Sequence, residues 1–154
     1  MAVKPIPDGY HSVTPYLILD NATQALEFYK QAFSATELMR MPAPGGKIGH
    51  AEIRIGNSPI MLADENPQMN ARSARTIGGS PVSLMVYVDN VDAMVAQAVA
   101  AGGKLVRPVA DQFYGDRTGG IDDPFGFHWY IATHVEDVPP DELERRAAKA
   151  MSGG

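Results

Sequence analysis

His50, Glu52 and Arg54 alternate along the segment HAEIRIG, with Ala51, Ile53 and Ile55 between them. In an extended strand that spacing puts the imidazole, the carboxylate and the guanidinium on one face and the three apolar side chains on the other. Histidine and glutamate so placed suit general acid–base work at a substrate carbon, with Arg54 or Arg117 holding a developing oxyanion. The same alternation also describes a solvated polar face on which Glu52 and Arg54 form ordinary ion pairs. The residues alone leave both readings open.

Other chemistries are narrowed by composition. The chain of 154 residues has no Cys, which removes thiolate nucleophiles, cysteine zinc sites and iron–sulfur clusters. Metal binding would fall to four His and the carboxylates. A net charge of -5 with no Lys/Arg block lacks the footprint of nucleic-acid binding. No run of about 18 apolar residues offers a membrane span, and the N-terminus has no apolar leader region, so a soluble, cytoplasmic protein with no membrane partner is expected.

Elements that would carry these residues follow from periodicity. VTPYLIL over residues 13–19 reads as a strand, and Asp20-Asn21 as the cap of a helix whose stripe is Ala25, Leu26, Tyr29, Ala32 and Phe33. The PAPGGK turn, HAEIRIG, the turn at Asn57-Ser58-Pro59 and IMLA then give β-α-β-β-β. Residues 65–80 have no period of their own and read as a linker or mobile loop. A shift of 69 residues lays VSLMVYVDN (82–90) over VTPYLILDN (13–21) without a gap. The same shift matches the helix from Val91 to the first one and Trp129–Ala132 to Ile60–Ala63. Module 1 (10–64), the linker, module 2 (81–135) and a C-terminal helix (138–151) with four-apart pairs Asp141/Arg145 and Glu142/Arg146 make an α+β chain of two tandem modules. One helix per module covers only one face of its strands, so the other faces must line a cavity or meet another surface.

GHAEIRIGNSPIMLADE and FYGDRTGGIDDPFGFHWYIATHVEDV, set in paired β-α-β-β-β modules over residues 10–138, resemble the vicinal oxygen chelate superfamily. This is the glyoxalase, bleomycin-resistance and dioxygenase assembly, and the PhnB-like branch is the most similar. The resemblance implies two curved mixed sheets around a cavity and, commonly, a homodimer. In metal-using relatives each module gives one ligand from its first strand and one from its last. Those positions fall here on Thr14, Met61, Ser83 and Tyr130, none of them His, Asp or Glu. No metal or other cofactor is therefore expected, since hydroxyls and a thioether hold a hard or borderline cation poorly.

By the same resemblance the concave face carries Tyr16, Met61, Met85, Tyr87, His128 and Tyr130, with His50, Glu52 and Arg54. Counting back from Asp123 adds Arg117, Gly119 and Ile121, and Phe113 and Tyr114 sit where they could close over the pocket. The expected function is metal-independent binding of a small organic molecule. The alternative is lyase, isomerase or dioxygenase chemistry, by acid–base action or with a divalent metal relocated to His50, Glu52 and His128. A third reading makes the chain an interaction module.

Overall fold

The computed structural model describes residues 2–153. Strand β1 (Tyr16–Leu19) leads into helix α1 (Ala22–Phe33), β2 (Thr36–Ala43), β3 (Lys47–Ile55) and β4 (Ser58–Asp64). After a short helix α2 (Ala74–Ile77), the series repeats as β5 (Leu84–Tyr87), α3 (Val91–Ala100), β6 (Lys104–Asp111), β7 (Asp116–Asp122) and β8 (His128–His134). Helix α4 (Pro140–Ser152) follows. The strands form two mixed sheets, ordered β1-β4-β3-β2 and β5-β8-β7-β6, and neither closes on itself. None of the described helices is long and apolar enough to cross a membrane.

The duplication extends to single hydrogen bonds. Asn21 Oδ1 accepts from Gln24 N and Asn90 Oδ1 from Ala93 N, each at 3.1 Å, so the two main helices start from equivalent caps. One further free amide at each start is taken by the strand beneath. Asp64 Oδ1 accepts from Ala22 N at 2.8 Å, and Thr133 Oγ1, 69 residues on, accepts from Val91 N at 2.9 Å.

Helices α1 and α3 pack against each other, each on one face of its own sheet. Leu17, Leu19, Ala51, Ile53 and Leu62 from the first sheet and Ile121, Trp129 and Ile131 from the second are buried beneath them. Aromatic rings join the modules: Trp129 lies 4.6 Å from Phe33 and 5.3 Å from Tyr29 between centroids, and Phe125 lies 6.0 Å from Phe28. Gln97 of α3 donates to the carbonyls of Gln31 and Ala32, supplying partners that the end of α1 lacks.

Two segments differ from the sequence expectation. Residues 65–80 are not featureless: Ser73 caps α2, and Ser73 and Ala74 are buried. Arg75 reaches the Pro124 carbonyl at 3.2 Å and Asp20 at 3.5 Å, pinning α2 against the DPFG turn. In α4, Arg146 pairs with Glu142 as the spacing implies, but Arg145 turns to Glu142 rather than Asp141. No described side chain of α4 is buried, and Arg146 ties the helix to Glu136 and the Phe113 carbonyl.

Candidate functional site

Pairing fixes which side chains share the helix-free faces. Across the first sheet, Tyr16 stands opposite Met61, Met61 opposite Glu52, and Glu52 opposite Met39. Across the second, the matching row is Met85, Tyr130, Gly120 and Arg107. β1, β4, β5 and β8 thus keep the shift of 69, whereas Glu52 maps to Gly120 at a shift of 68. The path from Gly120 to its partner Tyr130 is one residue longer than that from Glu52 to its partner Met61, and one residue of slip moves every side chain to the opposite face.

That slip corrects the expectation for β7. Arg117, Gly119 and Ile121 face the helices, not the open side. Ile121 is fully buried, and a Cβ on Gly119 would meet Val95 of α3. Arg117 donates to both carboxylate oxygens of Asp92 in the first turn of α3, at 2.8 and 3.0 Å, and to Asp111 at 3.1 Å. These carboxylates push the guanidinium's pKa up. The arginine that does occupy the open face of the second sheet is Arg107, which the sequence reading missed. Two breaks in the β6–β7 register hide its parity from any simple alternation.

On the first sheet the expected residues come together. The Tyr16 hydroxyl lies 2.7 Å from His50 Nδ1, and His50 Nε2 lies 2.7 Å from Glu52 Oε2. Tyr10, from the segment before β1 and absent from the sequence reading, donates to the other oxygen of Glu52. With Glu52 as a carboxylate, His50 carries its proton on Nε2, and its bare Nδ1 accepts from Tyr16. Partial burial pushes the Tyr16 hydroxyl's pKa up. The result is a hydrogen-bonded chain Tyr16–His50–Glu52–Tyr10. Arg54 lies on the same face, exposed and without a carboxylate partner among the described residues. Next to the chain opens a cleft of about 710 Å³ between Tyr16, Ile18 and Ala63, the turn at Pro44 to Lys47 and residues 64–69.

The second sheet carries two polar groupings. The first is the side-chain chain Tyr87–Asp116–His134–Asp137, linked by three contacts of 2.7 Å. Asp116 is buried, and its carboxylate raises the pKa of Tyr87 and, with help from Asp137, of His134. The second surrounds a recess of about 410 Å³ lined by Arg107, Gln112, Tyr114, Thr118 and Tyr130. Tyr114 lines this recess while Phe113 packs edge-on against its ring, 5.3 Å between centroids. His128 stacks edge-on against Tyr130 at 4.4 Å and bonds Asp122 through Nδ1, leaving Nε2 buried without a partner. A third cleft, of about 470 Å³, lies between the modules and includes His11, Pro15, Met85 and Tyr87.

A divalent ion does not fit the donor set. Met61 and Tyr130 lie on the open faces, and Thr14 and Ser83 just precede β1 and β5, offering hydroxyls and a thioether. The structure does not bring the relocated trio together, since His50 and Glu52 bond each other on one sheet while His128 bonds Asp122 on the other. Among the described residues no three His, Asp or Glu side chains converge as ligands.

Asp123 of the DPFG turn is structural. Its carboxylate accepts from Tyr29 and Trp129 side chains and from the Phe125 and Phe127 amides, all within 3.0 Å.

Comparison with known proteins agrees with this architecture. The sequence model of the Glyoxalase/Bleomycin resistance protein/Dioxygenase superfamily matches residues 10–131. An uncharacterised protein of Mycobacterium bovis is 41% identical over 145 residues, covering 92% of this chain and 94% of that one. The crystal structure of TioX from Micromonospora sp. ML1 superposes with a TM-score of 0.65 at 25% identity, over 81% of this chain and 99% of TioX. A PhnB protein from Bacillus cereus shares the fold, with a TM-score of 0.62 at 18% identity over 80% of this chain and 99% of its own. Duplicated β-α-β-β-β modules, the shift of 69 kept by β1, β4, β5 and β8, and the match over residues 10–131 place the chain in the glyoxalase/bleomycin resistance protein/dioxygenase superfamily.

Proposed function

We propose that this protein binds a small organic molecule on its helix-free sheet faces, without a metal ion, and acts by binding rather than by metal-assisted chemistry. The observation that carries this is the donor set: thioether, hydroxyl and phenol where metal-using relatives place ionisable ligands. The faces mix aromatic and sulfur-bearing surface with a few oriented polar groups, as small-molecule sites do. We further propose a homodimer. With the helices packed together, both open faces keep large apolar groups in water, Tyr16 at 48%, Met85 at 45% and Tyr87 at 61% exposure.

The chain Tyr16–His50–Glu52–Tyr10 favours a second reading, acid–base catalysis without a metal. A proton taken up by the Tyr16 oxygen could be matched by transfer of the tyrosine's own proton to His50, with Glu52 stabilising the imidazolium.

Elemental analysis of the purified protein, together with thermal shifts on adding Ni, Zn, Mn or Fe(II), tests the primary reading. No stoichiometric metal and no metal-specific stabilisation are expected. One ion per chain, lost in His50→Ala, would overturn it.

A further inference from the structure

The two arginines on the strands of the second sheet are placed differently. Arg40, Arg117, Arg145 and Arg146 are all tied to carboxylates. Arg107 has no carboxylate partner among the described residues, although Asp111 and Asp122 lie on neighbouring stretches of the same sheet. Its guanidinium carbon sits 5.8 Å from the centroid of the Tyr130 ring. Resting over an aromatic face uses a guanidinium's flat side and leaves its in-plane N–H donors free.

The neighbouring position on β7 is bare. In the row Tyr130–Gly120–Arg107, the central residue has no side chain. A methyl at Gly120 would lie 3.2 Å from the His128 ring and 3.3 Å from Arg107 Cβ, so the glycine lets both side chains lie close against the sheet next to Tyr130. The walls of the recess are Tyr130 and Tyr114, and Thr118 and Gln112 add polar atoms. A volume of about 410 Å³ falls within the range of small-ligand pockets.

We propose that Arg107, Tyr130, Tyr114, Thr118 and Gln112 form a subsite for the carboxylate end of a small planar aromatic acid. The carboxylate takes the in-plane N–H pair of Arg107, and the ring lies between the two tyrosines. One guanidinium at the recess, in a chain of net charge -5 and with Asp122 nearby, matches a monoanion and disfavours a dianion such as phosphate. The subsite rests on the small-molecule-binding reading above and names the ligand class for one of its two faces.

The test is a titration of the full chain with 4-hydroxybenzoate and its neutral counterpart 4-hydroxybenzamide, followed by backbone amide shifts. The acid is expected to bind roughly tenfold more tightly than the amide and to move the amides of Thr118, Gly120 and Tyr130. Arg107→Gln should bring the two affinities together. Tyr130→Leu should weaken both while keeping their ratio.

Equal binding of acid and amide in the wild type, or an undiminished preference in Arg107→Gln, overturns the proposal. So does inorganic phosphate competing as well as the acid. If neutral compounds shift residues 47–64 while the acid moves nothing on β7 and β8, the subsite fails and the wider ligand-binding reading stands. If no compound in a broad panel shifts any amide, both fall.

Discussion

The Tyr29 hydroxyl, from the helix of the first module, donates to the buried Asp123 carboxylate of the second at 2.7 Å. It bridges 94 residues of sequence and ties the DPFG turn to α1. Burial pushes the Asp123 carboxyl's pKa up, while the four donors around it pull the other way. Removing one donor costs less than removing the acceptor. Tyr29→Phe is expected to lower unfolding free energy by about 1–3 kcal/mol, and Asp123→Ala, which orphans four buried donors, by about 3 kcal/mol or more. Urea denaturation reads both. A smaller loss for Asp123→Ala than for Tyr29→Phe would refute the carboxylate's role as the hub.

His134 lies between the carboxylates of Asp116 and Asp137, which raise its pKa above the ordinary 6.5. Its stabilising contribution is therefore complete below pH 6.5 and is lost as pH rises through its folded-state pKa. Histidine ring signals followed against pH should place the His134 midpoint above the ordinary value. Asp116→Asn should lower it more than Asp137→Asn, because Asp116 is the larger cause. An ordinary midpoint, or the reverse order, counts against this cluster.

Much of this was legible because local and global signals coincide. Asn21 and Asn90 announce their helices by side-chain chemistry that needs no tertiary context, and both cap as expected. The alternation around His50 survived folding because one face of β3 is deeply buried, which leaves its register no freedom. The repeat puts Arg117 on the wrong face because the duplication keeps one shift in four strands and is off by one in β7, and a lone slip is invisible when Gly119 and Gly120 blur the apolar pattern. Tyr10 escaped for another reason. It lies in a segment without periodicity, and only the three-dimensional path of the chain brings it to Glu52.

Gly115 connects the β6–β7 turn to the strap leading into α4. Its φ of 101° lies in the left-handed region, and its carbonyl accepts from both Val135 and Glu136 amides. A Cβ there would stand 2.2 Å from the Glu136 carbonyl oxygen. Gly115→Ala is thus expected to cost about 1–3 kcal/mol. The loss should be local, with faster hydrogen exchange at Val135 and Glu136 and little change in β3. Unchanged protection at those two amides would show that the turn accommodates a side chain.

The proposed homodimer makes the last prediction. Two open sheet faces with Tyr16, Met85 and Tyr87 exposed resemble a core cut in half more than a finished monomer surface. Covering them with a second copy would remove apolar area from water without disturbing the α1–α3 contact. Sedimentation velocity at micromolar concentration should give twice the chain mass. Met85→Glu, which adds a charge on the exposed open side of the edge strand β5, should shift the protein to monomer while leaving its circular dichroism intact. A monomeric wild type, or a dimer indifferent to Met85→Glu, would move the interface elsewhere and leave the open faces as ligand surfaces of a single chain.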